Sequence, residues 1–94
     1  MALRETNPPA SAEDDAVLAL SALAWTLAEP ARASRLLALT GLDPEGLRAR
    51  AGEPALLAAT IGVLAGHEPD LIACAEALSV APARLMAAQQ GLQS

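Results

Sequence analysis

From Ala12 onward the chain alternates short apolar runs with brief stops that carry proline, glycine or both. Within the runs, apolar residues recur every three or four positions, the period of an α-helix lying on a core. Val17, Leu20, Ala24 and Leu27 form one line and Leu18, Ala22 and Trp25 a second beside it. A first helix over 12–28 is therefore predicted to bury most of its circumference, sparing a narrow side with Ala19 and Thr26. It is expected to be the central helix, with Trp25, mid-helix, in the core. Glu13, Asp14 and Asp15 fall in its first turn, where the helix dipole favours acids, and Ser11 with Asp14 resembles a capping box. Pro30, which opens a second helix over 30–40, suits the first helical position because no N–H is needed there. Arg32 and Arg35 are expected to face water.

Residues 36–52 hold a helix end, a tight connection and a helix start. Gly41 follows Leu36, Leu37 and Leu39, and glycine readily takes the left-handed conformation that closes a helix. Asp43 can cap the next helix and Pro44 can open it, giving a short third helix over 44–51 whose apolar stripe is Leu47 and Ala51. Leu42 between them is placed to plug the core. Pro54 opens a fourth helix with two apolar lines, Leu57, Ile61, Leu64 and Leu56, Thr60, Val63. Pro69 opens a fifth, with Leu71, Ala75, Leu78 and Ile72 on a buried face. Val80 is a second plug, and a sixth helix runs from Pro82 until Gly91 ends it. Met1 to Ala10, with Pro8 and Pro9 and no apolar period, reads as a disordered tail ahead of a single all-helical domain over 11–94.

A shift of 39 residues lays 17–40 on 56–79, matching Glu29-Pro30 with Glu68-Pro69. After one deleted residue, Leu42, Pro44 and Leu47 match Val80, Pro82 and Leu85. The expected fold is all-α, a compact bundle of about six short helices in two three-helix pseudo-repeats packed around the first and fourth helices.

The segment LALTGLDPEGLRARAGEPALLAA resembles the centre of a family of short, all-helical bacterial proteins known only as a domain of unknown function. The TGL, acid-proline and LRARAG elements carry the likeness, which extends over about 16–91. Where the family pattern has an acidic cap before the last helix, this chain has Ala81. The resemblance implies an all-helical fold and brings no activity, cofactor or catalytic residue.

Composition narrows the picture further. The 94 residues include 24 alanines and 17 leucines, one Trp and no Phe or Tyr, which favours helices throughout and leaves a core thin in bulk. A thin core in a small domain gains from association, so a homodimer is expected. The net charge of −5, with six arginines and no lysine, argues against nucleic acid and anionic membranes as partners. The uncharged runs 16–28 and 55–66 are too short to cross a bilayer, and no apolar leader follows Met1, which points to the cytoplasm. One cysteine, Cys74, forms no internal disulfide and no four-thiolate zinc site.

Candidate chemistry is sparse. His67, Glu68, Asp70 and Cys74 are the only grouping of reactive side chains, and they lack the spacing of a zinc protease motif and the count of a structural zinc site. We therefore expect no catalytic residue, no metal and no cofactor. The second and third helices, and the fifth and sixth, have a helix-turn-helix look, with Arg48, Arg50 and Arg84 on the second member of each pair. These three arginines are the candidate interaction surface. The expected role is a non-catalytic protein-interaction or adaptor domain, its partner a second copy or another protein. The alternative is a helix-turn-helix DNA-binding or transcription-regulating protein, which would need a basic face.

Overall fold

Proline and capping side chains set the helix starts largely where the sequence places them. A computed structural model of the chain, describing residues 12–93, has α1 over Ala12–Leu27, α2 over Pro30–Thr40, α3 over Pro44–Ala49, α4 over Pro54–Ala65, α5 over Glu68–Ala77 and α6 over Pro82–Gln93. The expected tail and the Ser11 cap lie outside the described residues. No strand occurs among those described, and the fold is all-α. A carboxylate oxygen of Glu29 accepts from the Arg32 amide at 2.9 Å, and Asp43 Oδ1 accepts from the Gly46 amide at 2.7 Å, each satisfying an amide the helix start leaves free. Gly41 closes α2 at φ 73°. Ser79 takes the same left-handed conformation after α5 at φ 60°, and the Val80 amide donates back to Ala75 at 2.9 Å. Nothing but its backbone geometry marks Ser79, a residue type with no special preference for that conformation.

Helices α1 and α4 are both central, as expected: each packs against α6, α5, α2 and the other, and α4 buries Leu56, Leu57, Ala58, Thr60, Ile61 and Leu64. Buried Thr60 and Thr26 hold their hydroxyls on the carbonyls one turn back, at 2.9 and 2.8 Å, so neither brings an unsatisfied donor into the core. Helices α4 and α6 meet over small residues. A Cβ on Gly62 would stand 2.9 Å from Gln89 Nε2, which donates to the Ala58 carbonyl at 3.4 Å.

The face of α1 expected to be spared is the one that is buried. Asp15, Ala19, Ala22, Leu23 and Thr26, spaced as one helical face, point inward. Val17, Leu20, Ala24 and Leu27 point outward. Small side chains let α1 lie close to α4 and α6, whereas a face of Val and Leu would hold it off. Gly91 serves the same approach. It does not end α6, which continues to Gln93, but a Cβ there would overlap the Asp15 carboxylate.

Three smaller expectations are corrected. Ile72 stays 45% exposed, because Cys74 and Ala75 are the residues of α5 that face the core. Arg32 and Arg35 do not simply face water. Arg32 lies over the Trp25 ring, 3.7 Å from its centroid, and donates from Nη2 to the Trp25 carbonyl at 2.8 Å, while Arg35 Nη1 pairs with Asp70 Oδ2 at 2.7 Å. Trp25 itself sits at the core's edge, partly buried. The two plugs, Leu42 and Val80, pack against the core as expected.

Candidate functional site

Two surface features stand out among the described residues. The first is a cleft of about 660 Å³ between α2 and α4, closed at one end by the turn after α3. Along α4 it is lined by Ala55, Ala59, Gly62 and Val63, and across from them by Leu39 and Leu42. Leu39 is 65% exposed. Arg50 and Glu53 stand at the end beside the α4 start, Arg35 and His67 at the other, where Arg35 is paired with Asp70. The second feature is the outward line of α1. Val17, Leu20 and Leu27 are 61, 48 and 39% exposed, with Ala24 between them and exposed Glu13 one turn ahead.

The three arginines singled out from the sequence lie in different settings. Arg84 reaches across to α1, its Nη1 3.0 Å from Oδ1 of the buried Asp15, close enough for an ion pair though not aligned as a hydrogen bond. Arg48 and Arg50 are exposed at the end of α3, and of the three only Arg50 lines the cleft. The sequence missed the Asp15–Arg84 pair because Asp15 looks like one of three interchangeable first-turn acids; only its register with Ala19 and Ala22 sets it apart. The cleft could not have been found from periodicity, since it forms where α4 leaves small residues uncovered.

The remaining reactive groups are dispersed. Asp70 is held by Arg35, and His67 is exposed at the start of α5. Cys74 is buried, and its thiol is pushed up from 9.0 to about 11, chiefly by burial, with Arg32 lowering it and Asp70 raising it. It is a protonated, shielded thiol at neutral pH, unsuited to nucleophilic work. Among the described residues no three His, Cys, Asp or Glu side chains come together as metal ligands. No single helix among them is long and apolar enough to cross a membrane.

Fold and surface together define a small all-helical domain that carries an apolar cleft and an apolar helix stripe. Residues 12–94 match the family described as "Protein of unknown function (DUF3572)", and the chain belongs to it. No curated protein and no solved structure matches the chain.

Proposed function

We propose that this chain is a non-catalytic protein-interaction domain that associates with itself. The observation that carries this reading is the outward stripe of α1, where Val17, Leu20, Ala24 and Leu27 stand in line on a helix whose opposite face is already committed to the core. Three large apolar side chains about half exposed on one helix face are unusual for a surface with no use for them. Burying them would contribute roughly 1 kcal/mol each. Two copies must also offset the loss of rotational and translational freedom, roughly 4 kcal/mol or more, so the association is weak and reversible. The stripe is free of charge from Val17 to Ala28, which lets two chains of net charge −5 approach there without direct repulsion.

The DNA-binding alternative has less behind it. Of the five described arginines, Arg32, Arg35 and Arg84 are engaged within the fold. Arg48 and Arg50 alone would neutralise too few phosphates for stable duplex binding, which takes about six or more contacts. The six residues of α3 make a short recognition helix, and α6 spends its face on α1 and α4. The self-association reading predicts a melting temperature that rises with protein concentration. A melting curve independent of concentration would count against it.

A further inference from the structure

The self-association proposed above leaves open what the α1 stripe meets. Two such stripes could meet each other by ridges-into-grooves packing, but that contact would leave the cleft of both copies uncovered. The cleft between α2 and α4 is concave and also uncovered, and its dimensions suit the stripe. From Val17 to Leu27 a helix rises about 15 Å, and from Ala55 to Gly66, the stretch of α4 that lines the cleft, about 16 Å. The α4 side offers Ala55, Ala59 and Gly62, side chains small enough for a helix to lie close, and exposed Leu39 stands opposite to close over it. Charge favours one orientation. The stripe is led by Glu13, exposed and one turn before Val17, and exposed Arg50 stands with Glu53 at the cleft's end beside the α4 start, while Arg35 at the other end is already paired with Asp70.

We infer that the α1 stripe of one copy docks in the α2–α4 cleft of a second copy. The contact is heterologous, using a different surface on each partner, and the clearest orientation sets Glu13 beside Arg50 of the partner subunit. A helix laid in a groove covers its apolar side chains on more than one flank. This inference rests on the proposed self-association, and it separates from it in one experiment.

Two full-length variants are needed, each damaging one half of the contact at an exposed position: Leu20→Glu on the stripe, and Ala59→Glu in the cleft, with Ala55→Glu as a second cleft variant. Circular dichroism melts confirm that each is folded. In sedimentation velocity, the native chain should associate and each variant alone should be monomeric. An equimolar mixture of stripe and cleft variants should regain a dimer, because it still contains one intact stripe and one intact cleft. If the native chain associates but both cleft variants associate as well, or if the mixture stays monomeric, the stripe-in-cleft contact is wrong while self-association stands. A native chain that is monomeric at every concentration overturns both.

Discussion

Cys74 and Asp15 show how single residues are fixed by what surrounds them. The only thiol, on α5, is buried in the core, and burial makes its charged form unfavourable in the folded chain. The unfolded thiol ionises near 9.0 and the folded one near 11. Below pH 9 both states are protonated and the group has no effect on stability. As the pH rises from 9 to 11 the unfolded chain releases its proton first, so stability should fall by up to about 2 to 3 kcal/mol. Urea denaturation across that range checks this against Cys74→Ala, which should lack this part of the fall; an equal slope in both would mean the thiol does not titrate late. Asp15 is the counterpart, a carboxylate carried inward because Gly91 leaves room for it and Arg84 meets it. A residue of this kind is illegible one position at a time. Its role comes from a glycine 76 positions away, and no local pattern joins the two.

At the scale of elements the sequence was most readable where backbone chemistry decides. Proline without an N–H, Asp43 with a capping carboxylate and Gly41 with its open left-handed region act locally, so α2 begins and ends where they place it and α3 starts at Pro44. Which face a helix buries is decided elsewhere. In a helix of alanine and leucine, apolar lines run down several sides, and the choice falls to how near a neighbour can come. For α1 the near approach of α4 and α6 selected Ala19 and Ala22 over the bulkier line of Val17 and Leu20. The fifth and sixth helices were drawn correctly as elements, but the C-terminal end of α6 and the exposure of Ile72 depended on the same unseen neighbours. The matched punctuation of the two halves, which we read as an internal duplication, makes a test at this scale. Leu47 and Leu85 are both buried, at 3 and 0% exposure. Each Leu→Ala change should cost about 2 to 5 kcal/mol in urea denaturation, with Leu47 at the lower end because six-residue α3 can shift to fill the gap. A neutral Leu47→Ala would remove the packing equivalence that the duplication requires.

Across the whole molecule the core is closed, while apolar surface stays open. The helices close over α4, and what stays outside is an apolar line on α1 and an apolar cleft beside α4. Three of the five described arginines are engaged with the fold's own acids and its tryptophan. Part of this was legible at the start. An alanine-rich core and a surplus of apolar surface led to the expectation of association, whereas the arginines that looked like an interaction surface turned out to be divided between an internal ion pair and the end of α3. The most direct measurement is sedimentation velocity of the native chain beside Leu20→Glu over a wide range of concentrations. The account predicts that the native chain shifts toward larger species as concentration rises and that the variant, equally helical, stays monomeric. Native protein that remains monomeric throughout, or a variant that associates as well as the native chain, would contradict it.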